Sequence, residues 1–183
     1  EKDTEQLHIC LGYPGTFLGS DELYPMSVMN NLLGGAMSSR LFQKIREEMG
    51  MAYSIYTYPS TYVGCGTFAV YAGVSPKNGH AVLDETLKQL DLLCRDGVTE
   101  KEFREAKNQL RGSYLLGLES PGSRMQSMGR GQLHLDRCMT PEETVAKIEA
   151  VTIESVNAVA RRIFSNAPCI SVVGKQAETY IKE

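Results

Sequence analysis

Two long β-forming runs parted by a glycine turn constrain this chain more than any other feature. Residues 51–62, MAYSIYTYPSTY, and 67–74, TFAVYAGV, are rich in tyrosine and β-branched side chains, and Gly64-Cys65-Gly66 stands between them. The pair predicts a hairpin of long antiparallel strands. Leu7, Ile9 and Leu11 ahead of Pro14-Gly15 predict a first strand ending in a turn, and CISVVG at 169–174 predicts a short last one. Between these, stripes at helical spacing run through Leu23, Met26, Asn30 and Leu33 to Gly34-Gly35, and through Leu41, Phe42, Ile45 and Met49 to Gly50. Further stripes follow at Val82, Leu83, Leu87, Leu90 and Cys94, at Phe103, Ala106, Leu110 and Tyr114, and over 153–164. Ser75-Pro76, Thr99-x-x-Glu102 and Thr140-Pro141-x-Glu143 are helix-start signals. The stretch SPGSRMQSMGRGQLHL, 120–135, is interrupted by glycines and reads as a loop followed by a helix. The order β-α-α-β-β-α-α-α-α-α-β predicts an α+β fold, with helices layered on one face of a largely antiparallel sheet.

Composition removes several classes of function. Hydrophobic residues make up 42% and charged residues 22%, the balance of a globular protein, and 183 residues suffice to bury a core of their own. No apolar run approaches the length of a membrane span. The net charge of -3 is mixed along the chain, so neither a nucleic-acid footprint nor a polybasic membrane surface is expected. Cys10, Cys65, Cys94, Cys138 and Cys169 are odd in number, scattered and without a C-x-x-C pair, the pattern of free thiols in a reducing compartment. Residues 1–183 are expected to form one domain, and a start at Glu1 suggests a segment of something longer.

The residues hold no evident catalyst. His8, His80 and His134 lack the i, i+4 spacing of a helix-borne zinc site, and no G-x-S-x-G elbow or marked cysteine nucleophile occurs, so neither a catalytic residue nor a metal ligand is expected here. Gly34-Gly35 before Ser38-Ser39 lacks the lysine and preceding strand of a phosphate loop and reads as a tight helix-helix turn. Glu47-Glu48 and Glu142-Glu143 are neighbours in sequence, hence about 100° apart on a helix and not an acid/base couple. What remains is Arg46, in the last turn before Gly50, and Tyr53, where the next strand opens. Such a corner would hold a guanidinium near a phenol, donors that suit the carbonyl oxygens of an extended peptide. On spacing alone, a surface arginine and an interfacial tyrosine remain the plainer account.

The segment LGGAMSSRLFQKIREEMGMAYSIY, supported by EKEFREAKNQLRGSYLLGLES and the final ISVVG, resembles the pitrilysin/insulinase family of zinc metallopeptidases, specifically the carboxy-terminal, non-zinc half of the processing-peptidase type. The resemblance covers essentially the whole chain and implies one half of a clamshell, with an amino-terminal half carrying H-x-x-E-H as partner and a peptide as substrate. It implies no cofactor in this chain and zinc in the amino-terminal half, where metal-assisted hydrolysis would occur. Arg46 and Tyr53 match the arginine and tyrosine that the family places across the chamber from the zinc, as substrate-binding residues. Ser38, Ser39 and Arg40 are accounted for as turn, cap and packing residues. Two further expectations stay open beside these. One is a non-catalytic presequence-binding or structural subunit of the same family, and the other is a homodimer. A bacterial cytoplasmic location is favoured over a mitochondrial matrix.

Overall fold

The computed structural model describes residues 2–180, so both ends of the expected 1–183 unit lie outside the described residues. Four strands, β1 (Leu7–Pro14), β2 (Ala52–Thr61), β3 (Gly66–Val74) and β4 (Cys169–Val173), form one sheet in the order β2-β3-β1-β4. Every neighbouring pair is antiparallel, and the fold is α+β as expected. The helices are α1 (Leu23–Leu33), α2 (Gly79–Asp96), α3 (Glu100–Gly117), α4 (Pro121–Leu135), α5 (Pro141–Glu149) and α6 (Ile153–Phe164). Between α1 and β2, Phe42–Glu48 winds as a π-helix, and short 3₁₀ turns cover Pro76–Asn78 and Ala177–Tyr180.

Alternation in the strands sorts the sheet into two faces. Leu7, Ile9, Leu11 and Tyr13 of β1 and Phe68, Val70, Ala72 and Val74 of β3 are buried on the helix-covered face. Against them α1 sets Met26, Met29 and Leu33, and α6 sets Val156, Val159, Ala160 and Ile163, a stripe with the i, i+3, i+4, i+7 spacing of one helix face. Phe164 meets Tyr13 and Phe68 edge-on, with ring centroids 5.1 and 5.6 Å apart. In α2 the inward residues are Val82, Leu83, Thr86, Leu90 and Leu93, while Leu87 and Cys94 are only half-buried. Thr86 is tolerated there because its hydroxyl donates to the Val82 carbonyl one turn back, at 2.7 Å.

One expectation fails. Residues 120–135 are not a loop followed by a helix: α4 is continuous from Pro121 to Leu135. Ser120 caps it by accepting from Ser123 N, Pro121 takes the first helical position, and Asp136 ends it in the left-handed region at φ 50°. The same SPGS letters that suggest a turn are thus a helix start. Gly122, Gly129 and Gly131 lower its propensity by about 1 kcal/mol each relative to alanine, and no residue of α4 is buried.

The segment between α1 and β2 is tied to the helical layer by Arg40. Its Nε and Nη2 donate to the two carboxylate oxygens of Glu102 at 2.6 and 2.8 Å, and Nη2 also reaches the Gly97 carbonyl at 2.9 Å. Glu102 is at the same time the third residue of α3, accepting from Thr99 N and Thr99 Oγ1. Burial alone would raise its carboxyl pKa. Arg40 and the two Thr99 contacts outweigh that and hold it at about 2, against an ordinary 4.5. The stability this supplies is fully present above pH 4.5 and is lost as pH falls from 4.5 towards 2. Arg40→Ala is expected to lower unfolding free energy by about 2–3 kcal/mol at pH 7 and to flatten this acid limb, as denaturant titrations between pH 2 and 7 will show.

Candidate functional site

The candidate site is the corner where the π-helix passes into β2. Leu41 and Ile45 anchor the helix in the core, which turns Arg46 outward. Its guanidinium lies over the Phe42 ring, 4.9 Å from the centroid, and makes no hydrogen bond or ion pair among the described residues. Nearby, Lys44 and Glu48 pair with each other at 2.6 Å. The helix closes with Met49 N donating to Lys44 O and Met51 N to Ile45 O, both at 3.1 Å. Gly50 makes the turn at φ +63°, a conformation costing other residues about 1–2 kcal/mol.

Tyr53 owes its position to a β-bulge. Ala52 pairs with Val74 and Ser54 with Gly73, so Tyr53 is the extra residue between them. Strict alternation would put Tyr53 on the side of Ile55, in the core; instead it is 61% exposed. Its hydroxyl has no partner among the described residues. Arg46 and Tyr53 therefore stand on one corner, both directed to solvent and not bonded to each other. Arg46 lines a shallow groove of about 320 Å³ with Gly34, Gly35, Phe42, Ser54 and Tyr56, and Tyr53 lies outside that lining.

The groove wall is fixed by the Gly34-Gly35 joint. Thr57 N donates to Gly34 O at 3.2 Å, and Thr57 Oγ1 reaches Asn30 Oδ1 at 2.8 Å. A Cβ on Gly34 would sit 2.7 Å from Thr57 N, so only glycine lets the joint approach the strand this closely.

Beyond Ser54, the open face of the sheet carries groups that the sequence did not single out. Tyr56 and Tyr58 of β2 and Tyr71 of β3 form a connected aromatic layer, with Tyr56 centroids 4.9 Å from Tyr71 and 5.9 Å from Tyr58. The Tyr71 hydroxyl meets His8 Nδ1 at 2.7 Å, and the Tyr58 hydroxyl lies 4.0 Å from Cys10 Sγ. Charge interaction with Cys10, the hydrogen bond to it and a little burial raise the Tyr58 phenol pKa above its ordinary value. The alternation of Tyr56 and Tyr58 with Ile55 and Thr57 was the available signal.

A larger cavity, about 510 Å³, lies elsewhere, between the π-helix, α2 and α3. Four of its charged groups are paired as Arg40–Glu102 and Lys44–Glu48. Among the described residues no three His, Cys, Asp or Glu side chains come together as a metal-ligand set, and those present do not fit a zinc ion.

Comparison with known proteins places this corner in a family. Residues 1–110 match the family described as Peptidase M16 inactive domain. The chain is 41% identical over 174 residues to "Uncharacterized zinc protease YmxG" of Bacillus subtilis (strain 168), covering 94% of this chain and 42% of the relative. It is 42% identical over 173 residues to "Uncharacterized zinc protease SCO5738" of Streptomyces coelicolor, covering 94% and 38%. Among solved structures, a conserved protein from Enterococcus faecalis V583 superposes with a TM-score of 0.81 at 26% identity, covering 96% of this chain and 41% of that one. The peptidase M16 inactive domain from Pseudomonas fluorescens gives 0.85 at 20% identity, covering 94% and 42%, and shows the fold. The chain belongs to the M16 peptidase family, as its inactive, non-zinc domain. It spans about two fifths of the length of these relatives.

Gly34→Ala is expected to destabilise the chain by about 1–3 kcal/mol through overpacking against Thr57. Denaturant unfolding measures the loss, and faster amide exchange at Thr57 locates it.

Proposed function

We propose that this chain is the substrate-binding half of a two-half zinc-dependent endopeptidase, with Arg46 and Tyr53 contacting the carbonyl groups of an extended peptide. The observation that carries this is the pair of unsatisfied donors on one rigid corner. Arg40, by contrast, already donates to Glu102 and to the Gly97 carbonyl. Tyr53 is pushed out by a bulge and Arg46 is left with only a ring beneath it. Donors kept free and held in place suit a carbonyl oxygen or the oxyanion formed from it. The chain's own residues bind and orient; the zinc and the hydrolytic step belong to the other half.

The surface of α3 and α4 supports a missing partner. Leu115 and Leu116 at the end of α3, and Met125, Met128 and Leu133 on α4, are exposed, and a glycine-containing helix without a buried residue is poorly held by this chain alone. We assign this face to the amino-terminal half, and place the protein in a reducing bacterial cytoplasm on the strength of its five free cysteines and bacterial relatives.

In the assembled two-half protein, Tyr53→Phe removes one donor while keeping the ring. A donor aimed at the oxyanion makes kcat fall about 10²–10³-fold, whereas one that only holds the ground-state carbonyl chiefly raises KM. Arg46→Ala is expected to impair both binding and turnover, and the double variant to fall short of the summed singles because both groups address one substrate. Steady-state kinetics with matched thermal melts test this. Near-normal kcat/KM in both singles would return the pair to a helix-end charge and a strand-edge aromatic.

A further inference from the structure

The open face of the sheet differs in chemistry from the rest of the surface. Its outward positions are Ser54, Tyr56, Tyr58 and Ser60 on β2, Thr67, Ala69, Tyr71 and Gly73 on β3, then His8, Cys10, Gly12 and Pro14 on β1 and Cys169, Ser171 and Val173 on β4. No Asp, Glu, Lys or Arg is among them. Two of the three tyrosines reach across the sheet towards β1. Tyr58 stands on β2, yet its hydroxyl reaches Cys10 on β1, so the ring must cross β3 over its register partner Ala69, which is buried. Tyr71 likewise turns its hydroxyl towards β1, to His8. Tyr56 overlaps Tyr71 at a 33° tilt with centroids 4.9 Å apart, and Tyr56 and Tyr58 remain 44% and 41% exposed.

This layer is continuous with the Arg46 groove, because Ser54 and Tyr56 belong to both. Main-chain addition to the neighbouring edge of β2 is obstructed: Thr57 N is taken by Gly34, and Pro59 has no N–H to offer. A peptide leaving the groove is therefore met by half-exposed aromatic rings and not by a free strand edge. A ring face can also attract a cation, but here the only formal charge lining the approach is Arg46, which repels one, and no carboxylate stands on the face to compensate a desolvated ammonium or guanidinium.

We propose that Tyr56, Tyr58 and Tyr71 form a side-chain subsite for extended peptide that selects aromatic and large aliphatic residues and disfavours lysine and arginine. This rests on the peptide-binding role of the Arg46 corner and adds the class of substrate. The chain contains no tryptophan, so a neutral, blocked peptide with one central tryptophan reports its own binding by fluorescence. Tyr56→Ala and Tyr58→Ala are each expected to weaken that peptide about three- to tenfold, with Tyr56→Phe close to wild type. The same peptide with lysine or arginine in place of tryptophan, followed by anisotropy of a terminal dye, is expected to bind more weakly than the tryptophan form. Equal or tighter binding of the basic peptides, or no response to either alanine variant in folded protein, overturns the proposal. If Arg46→Ala weakens all peptides alike while the tyrosine variants change nothing, only the subsite falls; if no dye-labelled peptide binds even in the assembled two-half protein, the corner falls with it. Self-association that Tyr56→Ala abolishes and peptide fails to displace would assign the face to a second copy and also overturn it.

Discussion

A single backbone hydrogen bond, Thr57 N to Gly34 O, joins the α1–π-helix connection to the outermost strand of the sheet. Without it the exposed edge of β2 would be open and the π-helix would be anchored only by Leu41 and Ile45 and by Arg40 on its far side. With it, the joint is held from two directions: the sheet grips Gly34, and α3 grips Arg40 through Glu102. The segment between those grips leads directly into the π-helix, where buried Leu41 and Ile45 turn Arg46 outward. Both grips depend on small details, a missing Cβ at Gly34 and a carboxylate kept ionised by its neighbours.

Strand and helix order was legible because the period changes from two to about four residues at clear glycine and capping signals. Thr99 and Thr140 make the capping boxes their spacing predicts. Arg46 and Tyr53 stood out at a helix end and a strand start, and through the family resemblance. Their common outward direction was not legible, since period-two alternation from Ile55 sends Tyr53 inward and only the bulge reverses it. Glu102 announced itself as a cap residue, but its second role lies 62 residues from Arg40 and leaves no local mark. In α4 the local signals conflicted: three glycines argued for a loop, Ser120 and Pro121 for a helix, and the caps prevailed. The tyrosine layer was visible as alternation, whereas the way its rings cross from strand to strand depends on a pairing of β3 with both β2 and β1 that no short stretch of sequence contains.

Arg40 and Arg46 stand six residues apart, one engaged within the fold and the other facing solvent. Arg40 donates three hydrogen bonds, to a carboxylate and a carbonyl, and any ligand would have to displace them. Arg46 rests on the Phe42 ring and has no hydrogen bond or ion pair among the described residues. Its donors are solvated in the isolated chain, so exchanging water for a peptide carbonyl returns only a modest free energy until water is excluded. The value of such a donor then depends on what closes over it, which gives the exposed apolar residues of α3 and α4 a place in the same argument. A half that covered those residues would hold the chain against a second wall and narrow the space in front of the sheet.

On the proposed peptide-binding role, main-chain and side-chain recognition would be separated in space on the surface that wall would face. The corner would offer charge and hydrogen-bond donors to the carbonyls common to every peptide, which carry no sequence information. The sheet face offers neutral rings whose hydroxyls are already turned towards internal partners at Tyr71 and Tyr58, so it responds to side-chain shape and polarity. Placing the positive charge beside the rings, with no acid among the outward residues of the sheet, makes the two parts reinforce each other: the group that holds the backbone also repels the cations that the ring faces would otherwise accept. A half without a metal can in this way set which peptides are presented while contributing no ligand to the chemistry.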